Sequence, residues 1–467
     1  MHYIQQLFLT FFVTILLASS PPKYQKLPRG VLIRLNKSRS HGTKAVKLQV
    51  VSNKIIHVTA SPTKQFHHET NLMLVKNYQK QVSWHITRKN NQLTLHTDSL
   101  QAEVSLNTGR ITFRNAMGRV ILREAADGRT FSKAKIDSSK ASFYHIRQVF
   151  DSPKNEAFYG LGEHQKRFLN LKGRDVTLAQ HNTEAAIPFL LSSRNYGLLW
   201  DNYSITRFGD PKPYQELSGA GLKLFDKEGH RGGLTATYMN KKDTTQVYEK
   251  RNESQIDYQY LSKLKNLPAG FQGKQMTNGE VVWQGKISSK YNGMHKFALT
   301  SAGRVKLWID GQLRVDRWRQ AWNPVTSKIN VNLQKGEKVP IRLEWTPDGG
   351  QSFIALKWRK PMPQLDKHRL SLYSQVARQI NYFFVFGHDM DDVIGGYRQL
   401  TGKTPIMPKW AMGFWQSREH YNSQKQILSV AHKFRQQNIP IDNIVQDWYY
   451  WKKNKWGSQR FDSTRYP

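Results

Sequence analysis

The run Gln446-Asp447-Trp448-Tyr449-Tyr450-Trp451 sets one carboxylate directly ahead of four large aromatic side chains. A carboxylate ringed by flat rings suits a sugar, because ring hydroxyls need an acceptor with two oxygens and the C–H faces of a pyranose need aromatic surface. Upstream, Trp415-Gln416 adds a second indole and an amide. Read without a ligand, Asp447 is a charge satisfied by a neighbouring Arg or Lys. Trp415 and Trp451 read equally as pocket wall or as core, since large rings in barrels most often pack inside.

Two strands and a helix must position these groups. Pro405 and Pro408 break the chain before Trp410-Ala411-Met412-Gly413-Phe414-Trp415-Gln416, a continuous apolar run of the fully buried strand kind. Ser423 and Gln426 form a capping box, Ile427, Val430, Ala431 and Phe434 recur at helical spacing, and Asn438 with Pro440 ends the helix. Asp442-Asn443-Ile444-Val445-Gln446-Asp447 is then the next strand. A right-handed crossover makes the two strands parallel, and α/β barrels bind ligands at the carboxyl ends of such strands. Gln416 and Asp447 are expected to look into one pocket there.

At 467 residues the chain exceeds a single core, so two or three domains are expected. The 38% hydrophobic content and thirteen tryptophans exclude disorder as the origin of the charge, 71 Lys and Arg against 34 Asp and Glu. The basic residues are scattered, without a run of five and without aromatic or Cys/His nucleic-acid signatures, so no nucleic-acid partner is expected. A diffuse basic surface facing an anionic envelope fits better. Leu7 to Ala18 is an apolar run too short to span a bilayer, followed by small residues at Ala18-Ser19-Ser20, which reads as a signal peptide over 1–22. The mature protein is then exported, periplasmic or at a bacterial cell surface, with no membrane span. The absence of cysteine excludes disulfides and thiol catalysis. Nothing in the sequence addresses oligomeric state.

Between the signal and the barrel the pattern has period two. Short alternating runs such as Lys47–Val51, Ile55–Val58, Leu93–Thr97, Ala102–Leu106, Arg110–Phe113 and Val120–Arg123 are separated by turn formers such as Asn107-Thr108-Gly109 and Asp127-Gly128, as in an antiparallel sandwich. Tyr159-Gly160-Leu161-Gly162-Glu163-His164 reads first as a tight turn with a capping Glu163 and a solvent-bonded His164. A second β-rich block over 228–362 centres on Leu307-Trp308-Ile309-Asp310-Gly311, a hairpin signal. This block resembles the protective-antigen-type sandwich domain; the chain has Ser301-Ala302-Gly303 where that family often carries paired acids, so no calcium site is expected. Gln379–Gly387 reads as a strand returning to the first sandwich, and Asp391–Leu400 as an amphipathic helix with Val393, Ile394, Tyr397 and Leu400 on one side. The expected architecture is therefore mainly β: a sandwich over 23–227 and 363–404, an inserted sandwich over 228–362, and the first βαβ part of a (β/α)8 barrel over 405–467.

The residues Gly413–Arg418 and Ile439–Trp451 resemble the opening of the catalytic barrel of glycoside hydrolase family 31. Tyr159–Glu163 and Pro188–Asp201 are similar to motifs of that family's amino-terminal sandwich. The resemblance implies exo-acting, retaining hydrolysis of an α-glycoside in an oligosaccharide, and with the inserted module α-xylosidase action on xyloglucan oligosaccharides. It implies that Asp447 anchors the terminal sugar with Trp448 beside it; Gln416, from its strand-end position, and Trp415 and Trp451, as pocket wall or core, are the further candidate substrate-binding residues. It also places the nucleophile and acid/base beyond Pro467, so a truncated chain ending there is expected to be inactive. No metal or organic cofactor is needed, since retaining cleavage uses two carboxyls and water. The alternatives are an α-glucosidase of the same family and a non-catalytic carbohydrate-binding or adhesin protein.

Overall fold

The computed structural model describes residues 24–35, 42–68, 70–136, 141–164, 168–180, 184–210, 212–219, 221–259, 271, 278–317, 324–347, 353–362 and 369–467. The signal-peptide segment 1–22 lies outside the described residues. The chain divides into two units, Met1–Tyr397 and Arg398–Pro467.

In the first unit the period-two runs pair into two antiparallel sheets. One has eight strands, in the order Tyr24–Leu27, Gly30–Arg34, Ala45–Ser52, Ile55–Ser61, Ile380–Phe386, Tyr196–Trp200, Ala185–Ser192, Phe158–Glu163. The other has nine, running from Val176–Leu178 through Thr206–Phe208, Arg369–Ala377, Phe143–Asp151 and Val120–Ala134 to the edge strand His85–Lys89. The alternate residues Val46, Leu48 and Val50 point inward, away from solvent, and with Phe113, Tyr196, Trp200 and Phe384 they fill one continuous core. Each large side chain removed from water there contributes roughly 1.5–3 kcal/mol.

Ile380–Phe386 lies between Ile55–Ser61 and Tyr196–Trp200, and Arg369–Ala377 lies between Phe143–Asp151 and Thr206–Phe208. The segment after the insertion thus closes the middle of both sheets, and the host sandwich is discontinuous.

Two expected turns are bulges instead. Asp127 (φ 54°) and Gly128 sit inside the single long strand Val120–Ala134, where the register slips against Gln148–Phe150. Gly160 and Gly162 (φ 88° and 96°) belong to the strand Phe158–Glu163, which also slips in register. A Cβ on Gly162 would meet the Ala185 carbonyl oxygen at 1.8 Å, so backbone approach rather than turning explains that glycine. His164 is held by Leu161 O at 2.9 Å and lies 3.3 Å from Glu184, rather than bonding solvent.

The inserted module has its own pair of sheets. Phe353–Arg359, Gly293–Ala302 and Val325–Leu333 form one with Gln215–Glu216 and Ile256–Gln259; Val247–Glu253, Leu234–Asn240, Gly279–Ser289, Val339–Thr346, Arg304–Ile309 and Gln312–Arg317 form the other with Leu222–Phe225. These sheets take in residues from Gln215 onward, ahead of the expected start at 228. Asp310 (φ 58°) and Gly311 (φ 69°) make the hairpin between Arg304–Ile309 and Gln312–Arg317, as the Asp-Gly signal requires. The module's core holds Trp283, Trp345 and Trp358.

Helix α1, Met390–Thr401, follows the last host strand. Val393 and Leu400 are buried and Tyr397 stacks on Phe189 at 4.4 Å, whereas Ile394, expected on the same face, is exposed. Ile394 adjoins Val393 one residue on, about 100° around a helix, and falls outside the buried stripe.

Candidate functional site

The second unit contains a 3-10 turn, Lys409–Met412, a strand, Trp415–Arg418, helix α2, Gln424–Gln436, and a strand, Asn443–Gln446. The two strands are parallel, with Trp415 opposite Asn443 and Arg418 opposite Gln446. Ser423 Oγ accepts the Gln426 N–H at 3.2 Å, and Gln426 Oε1 in turn accepts the N–H of Asn422, one residue ahead of the usual capping-box partner. Asn438 (φ 54°) ends the helix, with the Ile439 N–H reaching Phe434 O at 2.9 Å.

The apolar run expected to be one strand from Trp410 is split. Pro408, extended at φ −67°, starts the 3-10 turn, and the ladder begins only at Trp415. Between them Asp442 Oδ2 accepts the Phe414 N–H at 2.9 Å. The strand consequently runs past Gln416 to Arg418, and the carboxyl ends meet farther along than expected.

This shift decides which residues share the strand mouth. Asp447 is the first residue past its strand, and the next N–H, of Trp448, donates to Glu419 O at 2.8 Å. Glu419 and His420 therefore stand level with Asp447 and Trp448. Gln416 lies inside the ladder, opposite Ile444, with its amide 3.4 Å from the Tyr421 hydroxyl. The structure brings Asp447, Trp448 and Trp451 into one neighbourhood and leaves Trp415 apart. Trp415 is exposed, donates to Ala411 O at 3.2 Å and packs 5.8 Å from Trp410.

The aromatic residues pack on one another. Trp448 lies 5.3 Å from Tyr449 and 5.3 Å from Trp456, while Trp451 lies 5.7 Å from Trp456 and is buried. Tyr449 has φ 56°, an unfavoured conformation for a bulky residue at the turn directly after the mouth. Arg465 covers its ring at 5.0 Å.

Asp447 itself is exposed, and no hydrogen bond or ion pair engages it among the described residues. The cavities lined by residues 43–383 do not include Asp447, which stands exposed just past its strand. Nor is Asp447 locked to a guanidinium; it is available to a ligand. Two other carboxylates of the unit are occupied, Asp442 by the Phe414 N–H and Asp462 by Thr464 and Arg465, whereas Glu419 is exposed, 3.9 Å from His420.

Sequence reasoning passed over His420. Its ring stands 6.0 Å from Trp448, and its Nδ1 is buried without a hydrogen-bond partner among the described residues, 3.9 Å from Glu419. The only signal was its place two residues past the strand, which a strand ending at Gln416 concealed.

Comparison with known proteins bears on this geometry. A family model described as the glycosyl hydrolase 31 N-terminal galactose mutarotase-like domain matches residues 45–208, one described as the glycosyl hydrolases family 31 TIM-barrel domain matches 404–467, and the PA14 domain matches 231–367. An α-xylosidase of Saccharolobus solfataricus is 22% identical over 435 residues, covering 91% of this chain and 38% of its own length. The crystal structure of a family 31 α-xylosidase from Xanthomonas citri is 39% identical with a TM-score of 0.85, covering 95% of this chain and 47% of that one. A family 31 α-xylosidase from a soil metagenome, complexed with xylose, shares the fold at 16% identity and a TM-score of 0.53, covering 96% of this chain and 44% of that one. The chain thus spans less than half the length of these relatives. With its host sandwich and its parallel strand pair both matched by models of one family, and a solved member aligned along nearly all of it, the chain belongs to glycoside hydrolase family 31.

Proposed function

We propose that the chain serves an exo-acting, retaining α-xylosidase, in which Asp447 accepts hydrogen bonds from the hydroxyls of the terminal sugar and Trp448 walls the same subsite. The observation that carries this reading is the 39% identity to the Xanthomonas citri α-xylosidase along 95% of the chain. The exposed, unengaged carboxylate at the mouth of a parallel strand supports it, because barrel enzymes recognise ligands there.

Retaining hydrolysis requires two carboxyls about 5–5.5 Å apart. The resemblance to the family implies that the reacting pair lies on later barrel strands, outside these 467 residues. A polypeptide of 1–467 alone should then show no turnover. The apolar run Leu7–Ala18 supports export to the periplasm or cell surface.

The test compares xylose and glucose release from aryl α-xyloside and α-glucoside by a gene product carrying the complete barrel. Xyloside preference, with kcat/KM lowered at least roughly 100-fold in Asp447→Ala, is expected. Glucoside preference replaces the reading with an α-glucosidase. Absence of turnover on both, with sugar binding retained, replaces it with a non-catalytic binder.

A further inference from the structure

The outer face of the eight-stranded sheet is covered in two different ways. At one end helix α1 lies on it through apolar contacts, Tyr397 on Phe189 and Val393 against Gly197 and Gly387. At the other end the outward positions of three adjacent strands are polar except for Phe383. The register sets Lys47, Thr59 and Asn381 in one row and Gln49, His57 and Phe383 in the next. These six residues floor a cavity of about 540 Å³, within the ~300–1,000 Å³ typical of small-molecule sites.

The cavity is built rather than accidental. Its rim is fastened by Asn71 Nδ2 donating to Asp201 at 2.7 Å, by the Leu72 N–H donating to the Tyr203 hydroxyl at 2.7 Å, and by two bonds between the Gln379 amide and the His67 backbone. His57 stacks on Phe383 at 4.1 Å and Tyr78 meets that ring edge-on at 6.1 Å, giving a flat aromatic floor. His57 Nε2 is buried and makes no hydrogen bond of good geometry among the described residues, with the Asn381 side chain beside the ring. A buried polar atom left poorly satisfied is costly, and this one faces the cavity beside the stacked Phe383 ring, where a ligand group could complete its bonding. Burial and then the adjacent Lys47 outweigh the Asn381 amide and hold the imidazole neutral, with its pKa down at about 3, so Nε2 offers a hydrogen bond rather than a charge. Lys47 Nζ lies over the Phe66 ring at 5.0 Å and forms no ion pair among the described residues.

We propose that this cavity is a saccharide-binding site that takes one pyranose unit. Amide, hydroxyl, imidazole and ammonium groups around a ring-shaped floor match a ligand with hydroxyls on its edge and C–H groups on its faces. A phosphate fits less well, because it has no C–H face to lie on the His57–Phe383 floor. Lys47 is the group that would read either a hydroxyl or a uronate carboxylate.

The test is saturation-transfer NMR and calorimetric titration of the full 467-residue chain with xylose, glucose and glucuronate, repeated in Asp447→Ala so that the strand mouth contributes nothing. Saturable binding that survives Asp447→Ala is expected. Lys47→Met and Asn381→Ala should each weaken it roughly five- to tenfold with the melting temperature kept. Preference for glucuronate over glucose would assign Lys47 to a carboxylate, and the reverse to a hydroxyl. Absence of saturable binding, binding lost in Asp447→Ala, or affinity unchanged in both cavity variants overturns the proposal, whatever the outcome for turnover.

Discussion

The Lys296 ammonium of the inserted module lies 2.5 Å from the Asp175 carboxylate of the host sandwich. Arg359, from the neighbouring module strand, engages the same carboxylate oxygen. Arg359 also donates to the backbone oxygens of Asp210 and Lys212, both at 2.9 Å, and covers the Tyr214 ring at 4.6 Å. Burial alone would raise the Asp175 carboxyl, but the two cations reverse that and hold it below the usual range.

Asp175→Asn should therefore free the module from its host. It strands Lys296 without a counter-charge and leaves Arg359 with the Asp210 carboxylate at 3.8 Å, and breaking such a buried pair costs about 3–5 kcal/mol. The expected result is a lower first melting transition and faster proteolysis in the connection Lys212–Tyr214, ahead of the module's first strand. The sign for pH follows from a folded pKa below the unfolded one: the carboxylate's contribution is complete above about pH 4 and lost as pH falls through the lower folded value. The wild type should lose the docked arrangement in that acid range, and Asp175→Asn should show less acid dependence. Equal acid dependence in both would remove Asp175 as the clamp.

His57 predicts a second, separate pH effect. With its folded pKa at about 3 and an unfolded value near 6.5, the unfolded chain binds a proton that the folded chain refuses. Stability should fall as pH drops from about 6.5 towards 3, by about 1.4 kcal/mol per unit at most. His57→Gln, which keeps a polar atom at the position, should flatten that slope. Urea midpoints at pH 7 and pH 4.5 measure it; an unchanged difference in the variant would show that another group carries the dependence.

Glu253 is the polar centre of the module. Its carboxylate is buried and accepts from Tyr238 at 2.6 Å, Tyr258 at 2.8 Å, Trp283 at 2.7 Å and Arg251 at 2.7 Å. Glu253→Gln keeps the shape but turns one acceptor into a donor facing other donors. We expect a loss of about 2–4 kcal/mol in module stability, read by denaturation followed through Trp283 fluorescence, with the host sandwich unaffected. A loss below about 1 kcal/mol would mean that the ring of donors finds other partners.

Much of this architecture was legible because period two and turn chemistry are local. Alternation in Lys47–Val51 and Leu93–Thr97 marks strands, and Asp310-Gly311 marks a hairpin, without reference to anything distant. What stayed hidden depends on residues remote in sequence. Asp127-Gly128 looks like a turn until the partner strand Phe143–Asp151 continues through it. Trp410–Gln416 is apolar enough for a buried strand, and only Asp442, beyond helix α2, fixes where the ladder begins. The same displacement took Gln416 away from the mouth and put His420 there. The floor of the saccharide cavity was hidden for a related reason: Lys47, His57 and Asn381 become neighbours only when the strand after the insertion pairs back.

The contact between Gly413 and Asp442 gives the sharpest test of the barrel strands. A Cβ at Gly413 would lie 2.1 Å from Asp442 Oδ2 and 2.3 Å from its Cγ, while that same Oδ2 accepts the Phe414 N–H at 2.9 Å. Phe414 O also accepts the N–H groups of Asp442 and Asn443, so the joint fixes the start of both parallel strands. Gly413→Ala should expel the carboxylate, orphan the Phe414 N–H and cost the 398–467 unit about 2–3 kcal/mol. Hydrogen exchange should then quicken in Gln424–Gln436 and Asn443–Gln446 while Ile380–Phe386 keeps its protection. Asp442→Ala removes the acceptor and the closest obstruction, leaving only its Cβ at 2.9 Å, so adding Gly413→Ala to it should cost less, and the coupling in the double-mutant cycle should reach at least about 1 kcal/mol. Strictly additive effects would show that Asp442 does not set the register on which the position of Asp447 depends.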